Sequence, residues 1–237
     1  MANKKIALVT GANKGIGFEI VRGLLRAGCR VYLGAREAAK GQQAVAELAA
    51  EGDVRFLEVN LANQATLAAA AAHLQREEGH LDILVNNAGI NVPGDGAPGT
   101  AAVRSVEQAL HTNFLGTLAV TQVLLPLVKQ APAGRIVNVS SPLGSLTIVG
   151  QHDWALLGYS ASKAALNMLT VQLAYELRDT AIKVNSAAPG YTATDLNGFA
   201  GTDTPAQGAA EAIRLALLPA EGPTGTMSSA TDGLLPW

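Results

Sequence analysis

Cysteine occurs once in the 237 residues, aromatic residues make up only 4% and charged residues only 15%. With no second thiol for Cys29, a disulfide framework and a cysteine-rich metal site are both excluded. Cys29 lies in Arg26-Ala-Gly-Cys-Arg-Val-Tyr32 and reads as an inert core thiol at the start of a strand. A basic excess is also lacking: 17 Lys plus Arg face 19 Asp plus Glu, for a net charge of -2, so nucleic acid is not an expected partner. No apolar run reaches the roughly 18 to 20 residues of a membrane span, so no membrane is expected either. The opening Met1-Ala-Asn-Lys-Lys5 leads directly into a strand-like run rather than a signal peptide's apolar stretch, and the reading is a soluble, cytoplasmic chain. What is present is apolar mass, 49% hydrophobic residues, enough to bury the core of one compact domain spanning 1–237.

Short β-rich runs occur at Ile6 to Thr10, Arg30 to Gly34, Val54 to Val59, Ile83 to Asn86, Arg135 to Val139 and Lys183 to Ser186, with a weaker one near Gly225 to Ser228. Between them lie Ala/Leu-rich segments of helical length at 16–27, 37–50, 63–78, 101–129, 160–179 and 205–217. Continuous apolar strands that alternate with helices imply a parallel sheet covered on both faces, because parallel neighbours need crossover connections. The expected fold is therefore a single-domain, Rossmann-type doubly wound α/β sheet of about seven strands.

The first strand-to-helix turn reads Thr10-Gly-Ala-Asn-Lys-Gly-Ile-Gly17. Gly11, Gly15 and Gly17, with Asn13, Lys14 and Ile16 between them, let the backbone bend tightly and bring helix N–H groups to a pyrophosphate. The end of the second strand selects between dinucleotides, and here it carries Arg36. A guanidinium there, with Lys14 opposite, favours the 2'-phosphate of NADP(H) over the bare ribose of NAD, although the adjacent Glu37 works against it.

A Tyr-x-x-x-Lys pattern, Tyr159-Ser-Ala-Ser-Lys163, places a phenol and an ammonium on one helix face. Positive charge beside a phenol favours the phenolate, which predicts a Tyr159 pKa below the usual ~10. Together with the glycine turn, Asn86-Asn-Ala-Gly89, Asn113, Ser140-Ser141 and Pro189-Gly190, this pattern closely resembles the short-chain dehydrogenase/reductase family over nearly the whole chain. Asn13-Lys14, Gly222-Pro-Thr-Gly225 and the ending Leu235-Pro-Trp237 resemble its carbonyl-reductase-like, NADPH-using branch.

The resemblance implies hydride transfer between NADP(H) and a small carbonyl or alcohol, with Tyr159 as general acid/base and a serine hydroxyl on the substrate oxygen. It further implies that Lys163 holds the nicotinamide ribose and that Asn113 anchors a water of the proton relay. Ser140 and Ser141 are neighbours that face opposite sides of a strand, and the resemblance selects Ser141, with Ser145 as its rival. Ser141 precedes Tyr159 by eighteen positions where the family commonly has about thirteen, so an insert containing Gly150-Gln-His-Asp-Trp154 is expected to shape the substrate pocket. His152 and Asp153 read as solvated or capping, and no metal is expected. No Gly-x-Ser-x-Gly elbow surrounds Ser141 to support a hydrolase.

On the cofactor side the resemblance implies contacts from Asn60 and Leu61, where the family usually shows an Asp, from Asn86, Asn87, Ala88 and Gly89, and from Pro189, Gly190, Thr192 and Thr194. The loop at about 191–204 is read as a mobile substrate lid. Leu143, Trp154, Leu156, Leu157, Tyr191, Leu196 and Phe199 suggest a hydrophobic ketone or aldehyde. Two alternatives are an NAD-linked alcohol dehydrogenase and a non-catalytic dinucleotide-sensing protein, although the latter would be expected to lose the Tyr or the Lys and both are present. A homo-oligomer formed through the long helices is expected, since the insert before Tyr159 is short.

Overall fold

A computed structural model describes residues 4–151 and 154–237; the reading of His152 and Asp153 falls outside these. Eight strands form one sheet in the order β3-β2-β1-β4-β5-β6-β7-β8. They are β1 (Ile6–Val9), β2 (Arg30–Ala35), β3 (Val54–Glu58), β4 (Ile83–Asn86), β5 (Arg135–Val139), β6 (Lys183–Ala187), β7 (Met227–Ser229) and β8 (Gly233–Leu235). All neighbours are parallel except β7 and β8. β8 is the strand beyond the seven expected; Gly-Leu-Leu is too short to show a period, and the hairpin turn is fixed by Asp232, whose N–H donates to Ser229 Oγ and whose Oδ2 accepts from it.

The helices are α1 (Gly15–Arg26), α2 (Ala38–Leu48), α3 (Gln64–Glu77), α4 (Val103–Leu110), α5 (Thr117–Gln130), α6 (Leu157–Glu176) and α7 (Pro205–Ala216). Alternation along the strands sends side chains to two separate cores. Ala7, Val9, Ile83, Val85 and Val137 pack under α1, α2 and α7. Ile6, Leu8, Leu84, Ile136 and Val184 pack under α3, α5 and α6. The sheet order reverses between β1 and β4, which opens a crevice at the carboxyl ends of those strands.

The stretch expected as one helix at 101–129 is divided: a π-helical segment, His111–Gly116, joins α4 to α5. A wider turn there lets Gly116 pass Leu61, whose Cβ would lie 2.8 Å from any Cβ at that position. Val103–Gln130 is also long and apolar enough to cross a membrane by length and composition, although it contains no unbroken apolar run of that length. Its apolarity has a core use, since Val120, Leu124, Leu127 and Val128 are buried against the sheet.

At the opposite end from the crevice, Arg135 is 4% exposed and, among the described residues, meets no carboxylate. Its guanidinium instead donates to the carbonyls of Ala133, Gly134, Ala181, Leu218 and Pro219, tying the turns before β5 and β6 to the end of α7. Arg135→Ala leaves those buried acceptors without a donor and opens a void, so it is expected to lower unfolding free energy by about 3 kcal/mol. Urea denaturation with an unchanged m-value checks this; a loss under about 1 kcal/mol would contradict it.

Candidate active site

Tyr159 and Lys163 lie one turn apart on α6, below the end of β5. Lys163 is 4% exposed; its Nζ donates to the Val139 carbonyl at 2.8 Å and lies 5.6 Å from the centre of the Tyr159 ring. The half-buried Tyr159 shares a hydrogen bond with Ser141. Burial pushes the phenol up to about 12, with the Ser141 hydrogen bond pulling the other way. Burial lowers Lys163 to about 8. The expectation of a depressed phenol pKa is thus corrected: burial raises it and outweighs the pull of Ser141. At neutral pH this site presents a neutral phenol beside a mostly protonated lysine.

The strand alternation distinguishes the two serines. Ser140 Oγ turns under α6 and donates to Asn167 Oδ1 at 2.6 Å, while Ser141 stands on the other side with Tyr159. Ser145 Oγ accepts from the Ile148 amide inside its own turn and is fully buried. Asn167, which also donates to the Gly144 carbonyl, is a supporting residue that the sequence did not single out, because its partners lie 23 and 27 positions away.

Asn113 sits in the π segment, 1% exposed. Its Oδ1 accepts from the Ile90 amide at 2.8 Å, and its Nδ2 donates to the Ile90 carbonyl and to Ser162 Oγ at 2.9 Å each. The side-chain amide is thus tied to the Ile90 backbone and to Ser162, with one lone pair of Oδ1 left over. Ser162 carries the link to the catalytic helix, donating at 2.7 Å to the Tyr159 carbonyl.

The glycine turn is built in two layers. Gly11 and Gly17 are small because the turn after β4 presses on them: a Cβ on Gly11 would meet Ala88 Cα at 2.8 Å, and one on Gly17 would meet Asn87 Nδ2 at 2.4 Å. Asn87 Nδ2 donates to the Thr10 and Gly11 carbonyls, and Thr10 Oγ1 accepts from the amides of Asn87 and Ala88. Two of the three glycines thus also make room for the turn after β4. Gly15, at φ +60°, meets only the Thr194 side chain, at 3.5 Å. The N-terminus of α1 has no side-chain cap and no acidic residue in its first turn, so its free N–H groups and positive end suit an anion.

Other expected contacts are redistributed. Asn86 faces away from the crevice: its Nδ2 donates to Thr121 Oγ1 and Asn138 Oδ1, and a buried ladder continues from Asn138 to Thr170 and Ser186. That takes its amide away from any adenosine. Asn60 Oδ1 accepts from the Ala62 amide at 3.1 Å, using one of its two lone pairs, while Leu61 packs on the core. Thr192 is 5% exposed, with its hydroxyl on the Gly190 carbonyl and against α7 at Gly208, so of the two threonines it is Thr194 that borders the glycine turn. Pro189 and Gly190 lie between β6 and this loop, and a Cβ on Gly190 would collide with Asp203.

Lys14, expected at a phosphate, instead holds Asp195 of the 191–204 loop at 2.9 Å. Arg36 has a 71% exposed side chain, with Glu37 at 3.5 Å as its ion-pair partner. Gly89 leaves a gap beside Lys163 and Asn113, whose Nζ and Oδ1 would lie 3.5 and 3.4 Å from a Cβ there.

A family model described as short chain dehydrogenase matches residues 5–204. The chain belongs to the short-chain dehydrogenase family. Among curated relatives of this short-chain dehydrogenase, carbonyl reductase [NADPH] 1 of Sus scrofa is 38% identical over 269 aligned positions, covering 94% of this chain and 91% of its own. The structure of salutaridine reductase from Papaver somniferum superposes with a TM-score of 0.83 at 30% identity, covering 94% of this chain and 99% of that one. NADPH-bound carbonyl reductase from chicken fatty liver gives 0.87 at 25% identity, with 99% and 100% covered. The expected family and the doubly wound fold are both met by these matches.

The buried lysine makes the dehydrogenase's stability depend on pH in a definite direction. Lys163 titrates near 8 when folded against 10.5 for an ordinary lysine, so folding is penalised for the charge below pH 8 and the penalty fades as pH rises to about 10.5. Lys163→Met keeps the apolar stem without the charge. It is expected to be more stable than the unsubstituted protein at pH 7 by about 1–2 kcal/mol, after loss of the Val139 hydrogen bond. That gain should disappear by about pH 10.5. Urea midpoints at pH 7 and pH 10.5 check it; a less stable variant at pH 7 would contradict it.

Proposed function

We propose that this short-chain dehydrogenase reduces a hydrophobic ketone or aldehyde to the alcohol with NADPH, Tyr159 giving the proton. The observation that carries the reading is the placement of the Tyr159 phenol beside the Ser141 hydroxyl, one helical turn from the buried Lys163 ammonium. The residues present fit the dinucleotide: the uncapped amides at Gly15 and Ile16 suit its pyrophosphate, Arg36 its 2'-phosphate, and the gap at Gly89 leads to Lys163.

When bound, NADPH supplies the hydride to the carbonyl carbon. As charge develops on the substrate oxygen, Ser141 and Tyr159 donate hydrogen bonds to it, and Tyr159 Oη–H transfers its proton. Lys163 then stabilises the phenolate left behind, an anion otherwise costly in a buried position. Oxidation would need that phenolate from the outset. Arg36 at the end of β2 supports NADPH over the NAD-linked alcohol dehydrogenase reading, and the presence of both Tyr159 and Lys163 counts against a pure sensor.

The substrate side supports an apolar molecule: Trp154 is 54% exposed, Tyr191 58% and Phe199 64%, all on the insert or the 191–204 loop. Loss of NADPH absorbance is expected with aromatic and aliphatic ketones or aldehydes, and Tyr159→Phe is expected to reduce kcat by about 10²–10⁴-fold while NADPH still binds. Undiminished turnover in that variant would remove Tyr159 as the acid. Arg36→Asp is expected to lower the ratio of kcat/KM for NADPH over NADH by about tenfold or more, one charge-assisted contact's worth. An unchanged ratio would sink the 2'-phosphate assignment.

A further inference from the structure

Tyr159 is the third residue of α6, and this is the turn of a helix whose amides have no partner within it. α6 carries no cap of its own: Leu156 stands at the N-cap position, with no side-chain bond and no acidic residue in the first turn. The missing partners come from the loop after β4. Asp95 Oδ1 accepts from the Gly158 amide and Asp95 Oδ2 from the Tyr159 amide, both at 2.8 Å, and the Gly96 carbonyl accepts from the Leu157 amide at 2.9 Å. Asp95 Oδ1 is itself held by the Gly96 amide at 2.8 Å. Gly158 permits the close seat, since a Cβ there would lie 2.9 Å from Val106 Cα and 3.3 Å from Asp95 Oδ2.

We propose that Asp95 is a positioning residue for the reaction: its carboxylate clasps the start of α6 and thereby fixes where the Tyr159 phenol stands against Ser141 and the substrate oxygen. The peptide of Tyr159 is gripped at both ends. Asp95 takes its N–H, while its carbonyl accepts from Ser162, which is in turn held by Asn113 in the π segment. Without the carboxylate, the acid would ride on a fraying first turn, and a displacement of about 1 Å at a reacting group costs on the order of 10²-fold in rate. The proposal rests on the carbonyl-reduction reading above, and it adds a residue that touches neither substrate nor cofactor.

Two substitutions and one measurement on the unaltered protein test it. Asp95→Asn keeps one accepting oxygen but turns an N–H₂ group toward a second amide, and Asp95→Ala removes both acceptors. Asp95→Asn is expected to lower kcat by at least about tenfold and Asp95→Ala further, towards ~100-fold. The Kd for NADPH, read by its fluorescence, should stay within about twofold, because the glycine turn is untouched. A lowered melting temperature with unchanged kcat per folded molecule would mean a merely structural cap and overturn the proposal. In the unaltered protein, hydrogen exchange at the Gly158 and Tyr159 amides should be slowed by about 100-fold or more relative to an open first turn. Fast exchange there overturns the clasp whatever the variants do. If the unaltered protein consumes no NADPH with any carbonyl, the functional reading fails by itself, and the exchange result still decides the clasp.

Discussion

An ammonium group buried to 4% exposure, with the Val139 carbonyl as its hydrogen-bond acceptor, sets the terms for everything around it. Burying a lysine this way costs free energy, seen in its pKa of about 8, and the cost is tolerated only if the surrounding backbone is held to that geometry. The end of β5 must stay in register so that Val139 presents its carbonyl. The loop beyond it must hug α6, which it does through Gly144, where a Cβ would lie 2.7 Å from the Lys163 carbonyl carbon. Asn167 then secures the same loop by bonding Ser140 and the Gly144 carbonyl. Ser141, carried on this loop, comes to the phenol as a consequence.

Much of this was legible in the sequence, for identifiable reasons. The six main strand runs lie close to their observed limits because each is a short β-rich stretch between helical segments, the central ones buried on both faces of the sheet. Tyr159 and Lys163 were legible because their spacing is local, one helical turn. What the sequence hid is long-range. The Asp95 clasp and the Asn113–Ile90 bonds join residues 23 to 64 positions apart, and no local pattern reports such a pairing. α6 starts at Leu157, not near 160, for the same reason: its first turn is capped from elsewhere in the chain.

The glycine turn serves more than one purpose. Gly11 and Gly15 take positive φ, as a tight bend requires, and Gly11 and Gly17 also accommodate Ala88 and Asn87. The turn is thereby locked to the end of β4 before any ligand is considered, with Thr10 accepting two amides and Asn87 donating to two carbonyls. A rigid turn of this kind keeps the amides of α1 pointed at one place, and preorganisation of donors is worth more than their number. Asn86 shows a different limit of reading by motif. Strand alternation alone puts Asn86 with Leu84 on the α5 face, whereas the Asn-Asn pair was read as one recognition unit.

The same reasoning bears on how dinucleotide preference can rest on surface cations. Arg36 and Lys14 have side chains 71% and 60% exposed, and each already has an acidic neighbour, Glu37 and Asp195. Exposed pairs of this kind contribute about 0–1 kcal/mol, because water screens them and both chains lose rotamer freedom. A phosphate dianion offers either cation more charge and, to a guanidinium, two parallel hydrogen bonds. Exchanging a carboxylate for it therefore gains free energy, and Arg36 gains more than Lys14 by geometry alone. Lys14 differs in that its partner lies on the 191–204 loop, so the contact that holds the loop against the glycine turn is also among the weakest there. By its fork geometry Arg36 is the cation better suited to a phosphate, whereas Lys14 ties the 191–204 loop to the glycine turn through Asp195.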